Sequence, residues 1–543
     1  MRWKPSTRFS KYGRCGVVLA AIPVLLCLLF PACATTRPPG STGDASSLPA
    51  PATRPTSATP PGAHLTLGDS LGVLLETTDA RQALWAVFVK SLALDDVLFA
   101  HQADRLMIPA STMKLITLAV AAERLGWDYR YETQLLSVGS VVDGVLRGDL
   151  IVRGSGDPTI NTNAGDSDRA PVFESWAETL GAAGITAITG RIVGDDNRVE
   201  DAALGYGWSW DDLPYGFATP GGALQHHDNV VRLTVRPGSV ANENTIIELD
   251  SPASGVRVIN RVVTTWPGEE TELVLKRRRD GALEVRGWIS ARASPEYQTA
   301  SVENPTIFFV QGLKETLQRL GTTVSGEAMD IDDLDTPHTG LDEGDLRVLT
   351  THRSAPLSEI ATTLMTVSQN LYAETLLRTL DEGHAEQTSA AGRNVVREVL
   401  ESWGIDNTRF VVADGSGLSR YNYVTARTLV DVLQRMHTDP RHATPFRATL
   451  PVAARNGTLE TRLTGTAAAG NVHAKTGSMS NVRALSGFVT SADGEPLAFA
   501  VLANNFPGPA RPILAVIDRL VDQLASSTRS DSGHAEPFGR RRH

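Results

Sequence analysis

The sequence predicts an α/β fold in which one antiparallel sheet is drawn from both ends of the chain and a β-rich region is inserted between them. Three observations carry this prediction. Near the start of the foldable part, the apolar runs 86–91 and 97–100 flank Asp95-Asp96, the pattern of two strands around a turn. Near its end, runs 484–490 and 497–504 flank Asp493-Gly494, a hairpin signal, and Ile513, Val516, Ile517, Leu520 and Leu524 follow at helical spacing. Between these ends, from about Tyr131 to Pro337, short β-rich segments dominate: 148–153, 186–194, 230–236, 245–249 and 256–264. The foldable part holds ~465 residues, enough for two or three domains. The expected organisation is one discontinuous domain at 64–130 and 338–528, with an inserted region of two subdomains at 131–337.

The chain ends carry different signals. Residues 1–33 read as an export signal: Arg2, Lys4, Arg8, Lys11 and Arg14 form a basic start, and 16–30 is an apolar run short for a membrane span. All three cysteines, Cys15, Cys27 and Cys33, lie in this segment, so the rest of the chain forms no disulfide and no cysteine-based metal site. Cys33 follows Phe30-Pro31-Ala32, a stretch similar to a bacterial lipoprotein signal. That makes Cys33 a candidate lipidation site, with an ordinary cleaved signal peptide as the alternative. Residues 34–63 are rich in Pro, Thr, Ser, Ala and Gly and read as a flexible tether. Residues 529–543 are polar with a basic tip and read as a disordered tail. A net charge of −10 argues against a nucleic-acid partner.

The chemistry centres on Ile108-Pro109-Ala110-Ser111-Thr112-Met113-Lys114. Pro109 suits the start of a helix, and Leu115, Leu118, Ala119, Ala122 and Leu125 continue it as an apolar stripe that Gly126 ends. Ser111 and Lys114 are three apart, so they share a face of the first turn. A serine needs a nearby base to become a nucleophile, and the candidate base is Lys114. Only seven of the chain's 51 basic residues are lysines; the rest are arginines. Arginine does not give up its proton, whereas a desolvated lysine does, so a lysine retained in such a chain is a candidate for work arginine cannot do.

Two more short motifs follow. Ser368-Gln369-Asn370 falls between an amphipathic helix that starts near Pro356 and a second helical stripe at Leu371, Leu376, Leu377 and Leu380. A helix–helix junction can point polar side chains into a cleft. Lys475-Thr476-Gly477-Ser478 precedes the C-terminal hairpin and reads as a strand beside it. Gly477 would let a ligand approach the backbone, Thr476 and Ser478 supply hydroxyls, and Lys475 supplies a cation. Such a strand can pair with an extended peptide and hold a carboxylate. Each motif alone has a bland reading: a capped helix, a capped loop, a turn. Together, in this order and each in the required context, they are much more specific.

This set resembles the penicillin-binding protein and serine β-lactamase superfamily, whose motifs read Ser-x-x-Lys, Ser-x-Asn and Lys-Thr-Gly. Ser368 follows Ser111 by 257 residues, and an insertion between the first two motifs resembles the D-alanyl-D-alanine carboxypeptidase/endopeptidase family called penicillin-binding protein 4, peptidase family S13. Local stretches are similar too, among them Arg153-Gly154-Ser155-Gly156-Asp157-Pro158-Thr159, Gly207-Trp208-Ser209-Trp210, Asp414-Gly415-Ser416-Gly417-Leu418-Ser419-Arg420 and Asn456-Gly457-Thr458-Leu459. The resemblance implies a transpeptidase-like catalytic domain and no cofactor. It implies an exported, periplasmic enzyme acting on peptidoglycan stem peptides and acylated by β-lactam antibiotics, with any membrane contact made through the N-terminal anchor. By the same resemblance Ser111 is the nucleophile and Lys114 its base. Ser368 relays the proton, Asn370 holds substrate and Lys114, and Lys475 fixes the motif electrostatically. Thr476 and Ser478 bind the terminal carboxylate, and the backbone N–H groups of Ser111 and Ser478 form the oxyanion hole. Asp196 is the candidate partner of an amino group on the stem-peptide side chain; a turn at a strand end is its bland alternative.

Other candidates weigh less. His226-His227-Asp228 reads as a loop rather than a metal site. Trp208 and Trp210 read as packing of a long loop before a glycan groove. Asp414-Gly415-Ser416-Gly417 lacks the Lys-Ser/Thr of a phosphate loop and reads as a turn near the site. Two competing functions remain: a β-lactamase or esterase of the same superfamily, which the long insertion disfavours, and a non-catalytic wall-binding lipoprotein, which predicts a lost motif residue.

Overall fold

Residues 84–91 pair on one side with 97–101 and on the other with residues 497–504, more than 400 residues away. The computed structural model describes residues 66–160, 171–201, 204–251, 254–334, 346–381 and 383–532; the export signal, Cys33 and the tether lie outside the described residues. The principal sheet has five antiparallel strands in the order Val97–His101, Leu84–Ser91, Pro496–Asn504, Val482–Thr490, His473–Met479. Strand Leu84–Ser91 runs from Leu84 opposite Asn504 to Ser91 opposite Leu497. The near-continuous apolar runs of its central strands follow from burial on both faces. On one face Phe88, Ala484, Phe488, Ala500 and Leu502 pack on the helix Met113–Leu125 and its neighbours. On the other, Trp85, Val87, Leu485, Phe499 and Val501 pack on the helices Leu67–Leu75 and Arg511–Ser526. Each large apolar side chain so buried contributes ~1.5–3 kcal/mol, which fixes the register of the strand carrying Lys475.

The helix Met113–Leu125 is buried all round from Met113 to Ala122, and Gly126 ends it at φ 81°. It does not start at Ser111. A 3₁₀ turn, Ala110–Thr112, precedes it, with Ala110 at φ 46°. The helix–helix junction is where the sequence puts it, between Leu357–Thr366 and Asn370–Thr379.

In the middle of the chain a second five-stranded sheet has the order Ala328–Asp330, Ile192–Asp195, Leu150–Arg153, Glu132–Val138, Leu346–Arg353. The last of these, numbered within the discontinuous domain by the sequence, pairs instead with Glu132–Val138. The expected strand 186–194 is two strands, Ala187–Ile188 and Ile192–Asp195, in different sheets. Between them the chain turns at Gly190, whose missing side chain leaves room for the carbonyl of Gly148. Among the described residues a four-stranded sheet and two three-stranded sheets complete this region. The first residues of the expected tail are ordered. Arg529–Ser532 forms a 3₁₀ turn in which Arg529 pairs with Asp96 and, at 3.0 Å, with Glu495. Three-centre ion pairing on a partly buried arginine outweighs the low apolar content of this segment.

Candidate active site

Lys114 is fully buried in the first turn of its helix. Its Nζ lies 3.0 Å from Ser111 Oγ, and it donates to Asn370 Oδ1 at 2.6 Å and to the Ser416 carbonyl at 2.8 Å. Burial pulls its pKa from the ordinary 10.5 to about 7, while the charges of Asp414 and Glu374 act in the opposite direction.

Ser368 sits at φ 62°, in the left-handed region that serine rarely adopts. That backbone aims its hydroxyl at Lys475, whose Nζ donates to Ser368 Oγ at 2.8 Å. Asn370 opens the next helix, and both ends of its amide are tied: Oδ1 accepts from Lys114, and Nδ2 donates to the Phe217 carbonyl at 2.7 Å. The second motif is thus anchored on the first, on the third, and on a loop of the middle region.

Lys475 is also fully buried, and burial with the nearby Lys114 charge holds its pKa well below the ordinary lysine value. Along its strand the two-residue period turns Lys475 and Gly477 inward and leaves Thr476 and Ser478 more exposed. Thr476 Oγ1 donates to Thr458 Oγ1 at 2.8 Å. Gly477 also has a role within the fold. A Cβ there would lie 2.6 Å from the Pro109 carbonyl, so the glycine makes room for the turn that carries Ser111.

The structure therefore brings the five residues together as two adjoining hydrogen-bonded groups, Ser111–Lys114–Asn370 and Ser368–Lys475, joined through the Ser368-Gln369-Asn370 backbone, with Thr476 and Ser478 beside them. Asp196 is not bonded to either group among the described residues. One of its carboxylate oxygens accepts from the Thr306 hydroxyl, and the other is buried without a hydrogen bond. Burial, with Asp330, Asp332 and Asp201 adding to it, pushes its pKa up to about 7. His226 stacks on Phe173 at 4.8 Å and packs against Phe308, the environment of a core residue. Trp208 donates from Nε1 to Asp414 Oδ2 at 2.9 Å, while Trp210 is 72% exposed.

Sequence reasoning placed one contributor near the site without its role and missed two others. The turn at Asp414 holds the base through the Ser416 carbonyl; Asp414 itself accepts from Gly417 N, Ser419 N, Asn422 Nδ2 and Trp208 Nε1. Phe217 offers only a backbone carbonyl, which no side-chain pattern reveals. Glu374 is buried behind the base, and a charged residue inside the Leu371–Leu380 stripe was the available signal.

The profile of the D-Ala-D-Ala carboxypeptidase 3 (S13) family matches residues 68–524. The chain belongs to this family. Relatives of the S13 chain include a D-alanyl-D-alanine carboxypeptidase of Actinomadura sp., 33% identical over 494 residues, covering 88% of each chain. They also include the D-alanyl-D-alanine carboxypeptidase DacB of Haemophilus influenzae, 28% identical over 77% of this chain and 84% of the relative. The crystal structure of penicillin-binding protein 4 (dacB) from Haemophilus influenzae superposes with a TM-score of 0.71 at 25% identity, covering 84% of this chain and 99% of that one. A second crystal structure of the same protein holds a β-lactam, with a TM-score of 0.67. The predicted α/β, penicillin-binding class of fold is the one found.

Proposed function

We propose that this S13 chain is a penicillin-sensitive serine-type D-alanyl-D-alanine carboxypeptidase that also cleaves peptidoglycan cross-links as an endopeptidase. One observation carries the reading: a buried lysine amine with two fixed acceptors and one serine. Uncharged, Lys114 has two N–H groups and one lone pair. Asn370 Oδ1 and the Ser416 carbonyl take the N–H groups, which leaves the lone pair for the Ser111 hydroxyl proton. Ser111 Oγ attacks the carbonyl between two D-alanines, and the amine receives the proton as the bond forms. The carbonyl oxygen becomes an oxyanion between the N–H groups of Ser111 and Ser478. Ser368, held by Lys475, relays the proton taken up by Lys114 to the departing amine, so Lys114 is neutral again as the C–N bond breaks to leave an acyl-enzyme. Water then releases the shortened peptide by the reverse proton path.

Thr476 and Ser478, on the more exposed side of the edge strand, bind the terminal carboxylate of the substrate. Asp196 binds an amino group of the stem-peptide side chain; its unbonded buried oxygen supports this, since an incoming ammonium would supply the missing partner. Residues 64–130 and 338–528 act as the catalytic unit and 131–337 as an insertion that reaches it through Phe217. The protein is exported to the periplasm, with Cys33 as its lipid anchor. Among the described residues no helix is long and apolar enough to cross a membrane.

A fluorescent penicillin tests the reading. Stable labelling that disappears in Ser111→Ala is the expected result. Rapid turnover of the drug would point to a β-lactamase, and absence of label to a binding protein.

A further inference from the structure

Behind the three motifs lies a buried charge that the proposed reaction does not use. Glu374 stands one helical turn after Asn370 and is 1% exposed. Its Oε1 accepts from the backbone N–H groups of Gly415 at 3.1 Å and Ser416 at 2.8 Å. Its Oε2 is buried without a hydrogen bond, and the Arg378 guanidinium approaches it to 3.8 Å. Arg378 in turn reaches Glu200, in the middle region, at 3.3 Å.

Ser416 is bonded on both sides. Its N–H goes to Glu374, and its carbonyl accepts from Lys114. The neighbouring Gly415 carbonyl accepts from Thr117 Oγ1 at 2.7 Å, on the same helix as Lys114. Two backbone groups thus separate a buried carboxylate from the base. A carboxylate taken from water costs several kcal/mol unless it is well partnered, and this one has two amide donors on Oε1 but only a guanidinium 3.8 Å from Oε2. The groups facing it are Arg378 on its own helix, Asp414 on the loop and, beyond the peptide, Lys114. Burial, and after it the Asp414 charge, pushes Glu374 up to about 7, with Arg378 and Ser416 opposing.

We propose that Glu374 is a positioning residue for the base: its carboxylate orients the Gly415–Ser416 peptide so that the Ser416 carbonyl holds Lys114 Nζ on Ser111, and its negative charge stands behind that amine as a counterweight to burial. This rests on the reading of Lys114 as the base.

The test is Glu374→Gln, whose amide oxygen still accepts both backbone N–H groups while the charge is removed. The second-order rate of acylation by a fluorescent penicillin is measured from pH 5 to 9. With the anion gone, the protonated amine is less favoured, so the acid limb moves to lower pH, by less than about one unit because the Glu374 carboxyl itself takes up a proton near pH 7. Glu374→Asp retains the charge, and its acid limb stays with the wild type even where the plateau rate falls. A Glu374→Gln limb that superimposes on the wild type or moves upward overturns the proposal. So does a Glu374→Asp limb that moves with Glu374→Gln, or a Glu374→Gln protein that no longer melts cooperatively, because the charge then serves the fold and not the base. A wild-type profile without an acid limb instead refutes Lys114 as base.

Discussion

Acidification should silence Ser111 in a way that the burial of Lys114 dictates. The reactive form is the neutral amine, and desolvation brings its pKa from 10.5 to about 7. At pH 7 about half of the molecules then carry a neutral Lys114, against about one in three thousand for an ordinary lysine. The neutral fraction falls to about a tenth at pH 6 and about a hundredth at pH 5, so acylation should drop roughly a hundredfold between pH 8 and pH 5. The sign follows from the charge state: above pH 7 the rate reaches a plateau, and below it each pH unit costs nearly tenfold. The assay is the apparent second-order rate constant for a fluorescent penicillin at constant ionic strength, with thermal melting at each pH to confirm that the fold persists. A rate that stays flat from pH 5 to 8, one that rises on acidification, or one with its midpoint near 10 would refute the assignment of Lys114 as base.

Lys114→Arg keeps the cation but cannot supply a lone pair, and acylation should fall by roughly 10²–10⁴-fold, read by the same labelling. Gly477→Ala puts a Cβ 2.6 Å from the Pro109 carbonyl and pushes on the turn that carries Ser111. Its acylation rate should fall about tenfold or more while the melting transition shifts little, because a strand accepts alanine and the displaced group is the nucleophile. Asp196→Asn should raise KM for stem peptides with an amino group on the third residue and leave penicillin acylation unchanged; equal KM values for the two proteins would remove Asp196 from the substrate site. The wild type should label stably with fluorescent penicillin, and Ser111→Ala should not label in the same gel assay.

How far the sequence reaches is set by one physical distinction. Local patterns report which face of an element is buried; they do not report what a buried polar group meets. The sheet strands were legible because Leu84–Ser91 and Pro496–Asn504 are apolar on both faces, and the hairpin because Asp493-Gly494 turns between Val482–Thr490 and Pro496–Asn504. Ser111 and Lys114 were legible because a helical turn alone brings them together. Gly477 was legible as a special position but not for its role within the fold, since the Pro109 carbonyl that requires it comes from over 360 residues earlier. The break at Gly190 was hidden for the same cause, a close approach by the distant Gly148 backbone. Glu374 sharpens the point. Lys114 was legible from its spacing to Ser111 and from the scarcity of lysine. Glu374 carries no such signal, because Arg378 follows at i+4, the spacing of an ordinary surface ion pair. Yet the helix Asn370–Thr379 is buried from Leu371 to Thr379, so neither charge meets water. The backbone of Gly415 closes over it: a Cβ at Gly415 would lie 2.5 Å from the Ala373 carbonyl. The glycine-rich turn that the sequence places near the site is therefore what converts a solvent-type pair into part of it. In a chain like this one, the turns that pack on charged helices merit the same scrutiny as the motifs themselves.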